Sequence, residues 1–285
     1  MPVAPNAYLI GAQKAGTTLL AALLDQSADV CVSDPKEPQY LSNQYHRGAE
    51  WYDACFSNPK ASVVLDASTT YSFLRPRSEF DVPGAPGITA PVPERIRNLC
   101  PEARFIYILR DPVARAVSAY KHMLRYGAVP VGPITVDDIL DTNPIFELTG
   151  RYAEQIDRYL EVFDIDRFLF IDFKELTADP TTVTAKAAAH LGIAPPPPLP
   201  AVQAQGAKHS AHRATALGRA VKTLRKRAPR VESGLRGIVP LSLQKRLIGP
   251  MLKTDITVEI TGHEAAAVRF REDRARVKDL TGLTI

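Results

Sequence analysis

A glycine-containing turn close to the start of the chain constrains the fold more than any other feature. Tyr8–Ile10 is a short apolar run typical of a strand, and the run LLAALLDQ that begins at Leu19 is typical of a helix. Between them, Gly11-Ala-Gln-Lys-Ala-Gly-Thr-Thr18 has the glycine spacing of a loop that points main-chain N–H groups at a phosphate and ends on a helix N-terminus. A strand-to-helix turn without any ligand is the alternative. In either case the segment predicts the opening of a βαβ unit.

The chain repeats this alternation of strand and helix up to about residue 191. Because the predicted strands are apolar throughout, we expect an α/β fold in which a parallel sheet is covered by helices on both faces. Two stretches rich in proline and glycine, 76–93 and 127–150, predict irregular loops. Further strands are predicted over 63–66, 104–110 and 167–173, and helices over 94–99, 113–126, 151–163 and 181–191.

Size and composition narrow the classes of protein that remain. The 285 residues are 45% hydrophobic and 23% charged, as in ordinary globular proteins. The longest apolar run, Leu19–Leu24, is too short to cross a bilayer, and the N-terminus lacks the basic and apolar regions of a signal peptide. The three cysteines are widely spaced, which favours neither a disulfide framework nor a zinc site, so we expect a cytoplasmic protein.

Positive charge is concentrated late in the chain. Gln205–Arg246 holds eleven of the 35 Lys and Arg residues and one of the 31 acidic residues. Within it, Leu217, Val221 and Leu224 follow a helical period, with basic residues on the other faces. Such a segment is typical of a surface for an anionic ligand, a membrane or nucleic acid, and equally of a solvated helix face.

The position of one lysine separates two kinds of phosphate loop. A loop of the ATP type carries lysine directly after its second glycine, where the side chain reaches the distal phosphates. Here Thr17 holds that position, and Lys14 lies inside the loop, beside the first phosphate of a ligand. The displaced lysine and the lack of an obvious set of Mg²⁺ ligands argue against a P-loop kinase or NTPase, which stays as an alternative.

Two motifs in register resemble those of the sulfotransferases that use adenosine 3′-phosphate 5′-phosphosulfate (PAPS). Lys14-Ala-Gly-Thr-Thr-Leu19 is similar to the loop with which that family binds the 5′-phosphosulfate, and the strand, arginine and helix of Arg104 to His122 are similar to its 3′-phosphate motif. Asp34-Pro-Lys-Glu-Pro-Gln-Tyr40 resembles the KEP segment of the carbohydrate branch, which includes the heparan sulfate sulfotransferases. The resemblance covers most of 6–193 and the closing helix from Arg269 to Gly282.

The resemblance implies a donor site made by the two phosphate motifs. It implies PAPS as co-substrate, adenosine 3′,5′-bisphosphate as product, and no metal. The 3′-phosphate needs charge-assisted hydrogen bonds, and a lysine in the loop is suited to stabilise the charge that grows on the leaving oxygen. The donor-binding residues expected from the two motifs are Lys14, Ala15, Gly16, Thr17, Thr18, Arg110 and Ser118.

The KEP match implies a catalytic base at Glu37, because a carboxylate is able to take the proton of a weak acceptor hydroxyl. A solvated loop glutamate is the alternative reading of that residue. His122, four residues after Ser118, is a rival base, although it is better placed to pack or to touch the nucleotide. On the acceptor side we expect Lys36 to contact the sulfuryl group or the acceptor, and Asp66 and Tyr71 to form the wall of the cleft.

Because the tail after about residue 198 is too irregular for an independent core, we expect a single sulfotransferase domain over 1–285, in which the basic, irregular segment of about 201–250 forms a lid or a surface subregion. Gly206–Ser210 and Arg213 are the nearest candidates for the family's loop over the 3′-phosphate and adenine. The acceptor is left open among a carbohydrate, a lipid and a small natural product, with a hydroxyl or amine as the accepting group. We expect no nucleic-acid partner, while 208–230 is a candidate for peripheral membrane contact. An anion or membrane-surface binder without enzymatic activity is the second alternative.

Overall fold

The computed structural model describes residues 3–73, 91–125, 127–197 and 258–285, together with two short strands at 212–214 and 253–255. The predictions for residues 206–210, for most of the loop at 76–93 and for nearly all of the basic segment 201–250 lie outside these residues. Among the helices that are described, none is long and apolar enough to cross a lipid bilayer.

Parallel strands form the central sheet, as the sequence predicts. The strands are β1 (Ala7–Gly11), β2 (Val30–Val32), β3 (Val63–Asp66), β4 (Arg104–Leu109), β5 (Ile134–Thr135), β6 (Phe168–Asp172), β7 (His212–Ala214), β8 (Lys253–Asp255) and β9 (Ile260–Thr261). The central sheet has the order β2-β3-β1-β4-β6, with all neighbours parallel. β1 therefore lies in the middle, and the loop that follows it opens at the carboxyl edge of the sheet, between β3 and β4.

Helices connect the strands, and six of those described were predicted from the sequence. The helices are α1 (Thr17–Leu24), α2 (Ala49–Asp53), α3 (Val92–Leu99), α4 (Pro112–Leu124), α5 (Val136–Thr142), α6 (Ile145–Leu148), α7 (Tyr152–Leu160), α8 (Phe173–Ala178), α9 (Pro180–Leu191), α10 (His263–Ala267) and α11 (Arg271–Thr281). The residue patterns predicted α1, α3, α4, α7 and α9, and the family resemblance implied α11, with ends that differ by a few residues.

The apolar strands are covered on both faces. Phe105 of β4 stacks on Phe168 of β6 at 4.6 Å between ring centroids, and it meets Tyr159 of α7 edge-on at 5.3 Å. On the opposite face, α1 and α8 pack against α9, which contacts β4 and β6. Because successive side chains of a strand point to opposite faces, both sets of contacts require an apolar residue at every position. All five residues of β1 are buried accordingly.

Residues 127–150, which the sequence predicts to be an irregular loop, contain β5, α5 and α6. The side chain of Thr135 caps α5 by accepting from the N–H of Asp138, whose carboxylate accepts from the N–H of Thr135 in return. Val136 and Ile139 have helical spacing and are buried in a second apolar cluster with side chains of α4 and α10. The prolines and glycines of this segment lie between its short elements, so the prediction of an irregular loop was wrong.

The last helix, α11, is tied to the start of α7. The carboxylate of Asp273 accepts hydrogen bonds from the N–H groups of Tyr152 and Ala153, both at 2.9 Å. Negative charge at a helix N-terminus is favourable. Burial nevertheless raises the pKa of Asp273 to about 6, and the two hydrogen bonds only oppose that shift.

We expect Asp273 to make the stability of the fold depend on pH. In the folded chain the carboxyl group loses its proton near pH 6, with a pKa of about 6, whereas an unfolded aspartate loses it near pH 4, at about 3.9. Because the folded state holds the proton through this interval, the contribution of Asp273 to the free energy of unfolding is greatest below about pH 4 and falls as the pH rises through about 6.

Urea denaturation at several pH values between 4 and 7 measures this effect. The difference in unfolding free energy between the wild type and Asp273→Asn should shrink as the pH rises across the interval. Asp279→Asn, at an exposed position of the same helix, serves as the control and should show no such trend. A difference for Asp273→Asn that stays constant with pH contradicts the assignment.

Candidate functional site

The loop between β1 and α1 presents main-chain donors at the carboxyl edge of the sheet. Gly16 precedes α1 with φ of 84°, a left-handed conformation that favours glycine. A Cβ at this position would lie 2.9 Å from Cδ2 of Leu176 on α8, so the available space also requires glycine. Within the part of the chain that is described, the N–H groups of Gly16, Thr17 and Thr18 donate to no protein acceptor. They are therefore open to an anion at the N-terminus of α1.

Lys14 stands among other charged side chains. Burial lowers the pKa of Lys14, the positive charges of Arg125 and Arg110 lower it further, and the negative charge of Glu37 acts in the opposite direction. Two guanidinium groups and one carboxylate thus lie close enough to act on the same ammonium group. The excess of positive charge at the loop favours the binding of an anion.

Arg110, at the carboxyl end of β4, joins its strand to the loop. Its Nη1 donates to the main-chain oxygen of Lys14 at 2.6 Å, at the residue where the loop has a positive φ of 70°. The guanidinium lies 4.5 Å from the ring centroid of Phe173, and the carbonyl of Arg110 accepts from the hydroxyl of Tyr152 at 2.9 Å. The carboxylate of Asp111 contacts other partners, namely the N–H of Ala114 and the side chain of Arg274.

Helix α4 begins shortly after this strand, and three further polar side chains lie along one face of the helix and of the residue that caps its C-terminus. Ser118, His122 and Arg125 follow at spacings of four and three residues, which places them above one another on a helix. Each of them is partly exposed. Arg125 was not among the predicted site residues, although its helical spacing from Ser118 was a usable signal.

Lys36 and Glu37 lie beside the loop and are joined to it. The Nζ of Lys36 donates to Oε1 of Glu37 at 3.1 Å and lies 3.4 Å from Oγ1 of Thr17. The same Nζ donates to the carbonyl of Ala67, just beyond β3, at 3.2 Å. The other carboxylate oxygen of Glu37 accepts from the hydroxyl of Thr69 at 3.0 Å. The segment after β2 and the segment after β3 thus meet at the phosphate loop.

Asp66 and Tyr71 lie beneath this arrangement rather than on its wall, since neither has exposed surface. Tyr71 donates its hydroxyl proton to Asp66 at 2.6 Å, and Ser68 and Tyr52 donate to the same carboxylate at 2.6 and 2.7 Å. Burial raises the pKa of Asp66, and these three hydrogen bonds oppose that effect. The pair supports the segment that carries Thr69, which is a different role from the contact with a ligand that the sequence predicts.

The site therefore combines a surplus of positive charge with one accessible carboxylate. It is suited to bind a ligand that carries phosphate, to stabilise negative charge that develops on that ligand, and to accept a proton next to it. Among the described residues, no group of three or more His, Cys, Asp or Glu side chains is placed to hold a metal ion.

Comparison with known proteins gives one family. A family model described as "Sulfotransferase domain" matches residues 4–212. A solved sulfotransferase from Alicyclobacillus acidocaldarius has the same fold, with a TM-score of 0.54 and 24% sequence identity over 70% of this chain and 87% of that one.

Three curated relatives are animal proteins. The bifunctional heparan sulfate N-deacetylase/N-sulfotransferase 1 of Caenorhabditis elegans is 31% identical over 63% of this chain and 21% of its own length. The corresponding human protein 3 is 30% identical over 67% of this chain and 22% of its own length. The mouse heparan sulfate glucosamine 3-O-sulfotransferase 6 is 28% identical over 66% of this chain. The aligned part spans about a fifth of the first two relatives and 52% of the third.

Substitution of Gly16 should cost more stability than substitution of another glycine with the same backbone conformation. Gly16 and Gly192 have φ values of 84° and 77°, so an alanine at either position carries the left-handed penalty of about 1–2 kcal/mol. Only Gly16 has a neighbour that the new Cβ would meet, because nothing lies within 4 Å of a Cβ at Gly192. Overpacking at Gly16 should cost roughly a further 1–3 kcal/mol.

Chemical denaturation of Gly16→Ala and Gly192→Ala, compared with the wild type, checks this difference. Equal losses of unfolding free energy in the two variants would show that the contact with α8 does not constrain the loop.

Proposed function

The chain belongs to the sulfotransferase family, and from that membership we propose that it transfers a sulfuryl group from PAPS to a hydroxyl or amine of a carbohydrate. The resemblance drawn from the sequence motifs is confirmed at the level of the family, and the protein is a transferase. One observation carries the detailed proposal. Open N–H donors, the Lys14 ammonium and the Arg110 guanidinium lie around one loop, and Lys36 connects that loop to the carboxylate of Glu37.

On this proposal the loop and the start of α4 bind the two ends of the donor. The N–H groups of Gly16, Thr17 and Thr18 hold the 5′-phosphate at the N-terminus of α1, where the helix dipole favours negative charge. Arg110 and Ser118 hold the 3′-phosphate through charge-assisted hydrogen bonds. The hydrogen bond from Arg110 to the carbonyl of Lys14 supports the proposal, because it fixes the distance between the two phosphate sites.

The transfer is a displacement at sulfur. The acceptor oxygen or nitrogen forms the new bond to sulfur, the bond between sulfur and the bridging oxygen breaks, and its electron pair stays on the phosphate of the product. Lys14 stabilises the charge that grows on the bridging oxygen. Glu37 accepts the proton that the attacking group loses. The product nucleotide is adenosine 3′,5′-bisphosphate, and no step needs a metal.

Lys36 has two roles in this scheme. In the structure, its ammonium pairs with Glu37 and lies near the hydroxyl of Thr17. The same ammonium reaches the sulfuryl group when the donor occupies the loop, because Thr17 belongs to the proposed phosphate site. The move from the carboxylate to the donor leaves one oxygen of Glu37 open for the acceptor proton.

A carbohydrate acceptor is supported by the names of the relatives. The chain matches heparan sulfate enzymes that sulfate nitrogen and enzymes that sulfate a 3-hydroxyl of glucosamine, at 31% and 28% identity. We therefore propose a glucosamine-containing chain as the first acceptor to test. Two acceptors distinguish transfer to an amine from transfer to a hydroxyl. Heparan sulfate with free amines offers both groups, whereas fully N-sulfated heparan sulfate offers only hydroxyls.

Donor binding should be independent of Mg²⁺ and should require Arg110. Adenosine 3′,5′-bisphosphate should raise the melting temperature without Mg²⁺, since a ligand that binds only the folded state stabilises it, and Mg-ATP should do much less. Arg110→Ala should weaken bisphosphate binding by roughly 1.5–3 kcal/mol, the usual value for a hydrogen bond to a charged group.

Isothermal titration with the bisphosphate measures the affinity. Arg104→Ala, at the exposed start of the same strand, is the matched control and should bind like the wild type. Greater protection by Mg-ATP than by the bisphosphate would favour a kinase, and unchanged affinity of Arg110→Ala would remove this residue from the donor site.

Glu37 and Lys14 should give different kinetic defects. Glu37→Gln keeps the size of the side chain but accepts no proton at neutral pH, so turnover should fall by roughly 10²–10⁴-fold, the contribution of a general base, with little change in bisphosphate affinity. Lys14→Ala should reduce both bisphosphate affinity and turnover, because its charge acts on the bound donor and on the transition state.

Single-turnover transfer from PAPS to the heparan sulfate acceptors, together with bisphosphate titration, distinguishes these outcomes. Glu50→Gln, an exposed glutamate of α2, is the control. Normal turnover of Glu37→Gln with an inactive His122→Ala would transfer the role of base to His122.

A further inference from the structure

The two oxygens of Glu37 are bound by donors of very different mobility. Oε1 accepts from Nζ of Lys36 at 3.1 Å, and Oε2 accepts from Oγ1 of Thr69 at 3.0 Å. The Lys36 ammonium ends a flexible four-carbon chain and its side chain is 24% exposed. The side chain of Thr69 is branched at Cβ and therefore stiff at χ1, and the residue is only 4% exposed.

The short turn that carries Thr69 is fixed on several sides. Thr69–Tyr71 form a 3₁₀ turn that begins three residues after the last residue of β3. The hydroxyl of Tyr71 is bound to the buried carboxylate of Asp66 at 2.6 Å, and the carbonyl of Tyr71 accepts from the hydroxyl of Tyr159 at 3.1 Å. The position of the Thr69 hydroxyl is therefore set by the core of the protein, whereas the Lys36 ammonium lies at the end of a flexible side chain.

We propose that Thr69 is the positioning residue of the base: its hydroxyl holds Oε2 of Glu37, so that Oε1 faces the acceptor when Lys36 turns to the donor. This inference rests on the proposed function. In the transfer, the acceptor proton moves to Oε1 as the acceptor forms its bond to sulfur, and the hydroxyl proton of Thr69 stays where it is. Thr69 touches neither substrate and acts only through Glu37.

The chain supplies a matched control in the next residue. Thr70 has the same side chain, but its hydroxyl bonds to the hydroxyl of Ser42 at 2.8 Å rather than to Glu37. A comparison of Thr69→Val with Thr70→Val therefore separates the loss of the bond to Glu37 from the loss of any threonine hydroxyl in this turn.

Single-turnover kinetics with PAPS and the heparan sulfate acceptor test the inference. Thr69→Val should lower the rate by about ten- to a hundred-fold, since a displacement of a reacting group by about 1 Å costs up to about 10²-fold. The KM for acceptor and the affinity for the bisphosphate should stay within about twofold, because a positioning residue of the base acts on the chemical step. Thr69→Ser should recover most of the rate, and Thr70→Val should react like the wild type.

The double variant Thr69→Val/Glu37→Gln decides whether Thr69 acts through Glu37. It should be no slower than Glu37→Gln alone, because residues that act as a unit are not additive. A multiplicative loss would overturn the inference, as would a normal rate of Thr69→Val beside an impaired Glu37→Gln, and both results would leave the proposed function intact. A normal rate of Glu37→Gln would instead remove the base itself and the inference with it.

Crystal structures with bound adenosine 3′,5′-bisphosphate give a readout that does not depend on activity. Glu37 should keep its bond to Thr69 in the wild type and should take another orientation in Thr69→Val. An identical Glu37 side chain in both structures would overturn the positioning role.

Discussion

Asp66 is a carboxylate without exposed surface. The hydrogen bonds that it needs hold one half of the site, namely the segments that carry Glu37 and Thr69. An unmade bond to such a group is expensive, about 1–3 kcal/mol or more, so its neighbours have little freedom. Its donors are the hydroxyls of Tyr52, Ser68 and Tyr71. Two of these hydroxyls also accept main-chain N–H groups of the segment after Glu37, from Gln39 at 2.9 Å and from Leu41 at 3.2 Å. The segments that carry Glu37 and Thr69 are thus both held in place by the groups around Asp66.

The other half of the site depends on the sheet itself. β1 and β4 are neighbours, so the phosphate loop and Arg110 leave the sheet side by side, and the bond from Arg110 to the carbonyl of Lys14 joins them. Glycine at position 16 lets α8 approach the loop closely enough for Leu176 and Phe173 to support it. Lys36 connects the two halves, because its ammonium reaches Thr17, Glu37 and the carbonyl of Ala67 at once.

The fold was predictable where the sequence has a single period, and it was not where short elements alternate. The strands that became β1, β3, β4 and β6 are continuous apolar runs, and short runs of this kind between turns are typical of buried strands. β2 has only three residues, and the helices α5 and α6 lie in a stretch where prolines and glycines dominate the count. For the site, the motifs indicated the loop, Arg110 and Glu37. They gave no sign that Asp66 is enclosed by hydroxyls or that Thr69 contacts Glu37, because both facts depend on contacts between segments far apart in the sequence.

The charges around Lys14 explain why the donor should bind before Glu37 is freed from its ion pair. Burial and the charges of Arg125 and Arg110 lower the pKa of Lys14. A bound anion acts in the opposite direction and favours the charged ammonium, since an opposite charge nearby stabilises it. The same anion offers Lys36 a partner other than Glu37. Under the proposed function, donor binding therefore strengthens the charge that assists the leaving group and frees the base in one event. A carboxylate left unpaired before that event would stand beside the proposed phosphate site and repel the donor, so under the same proposal the ion pair of Lys36 with Glu37 serves donor binding as well as catalysis.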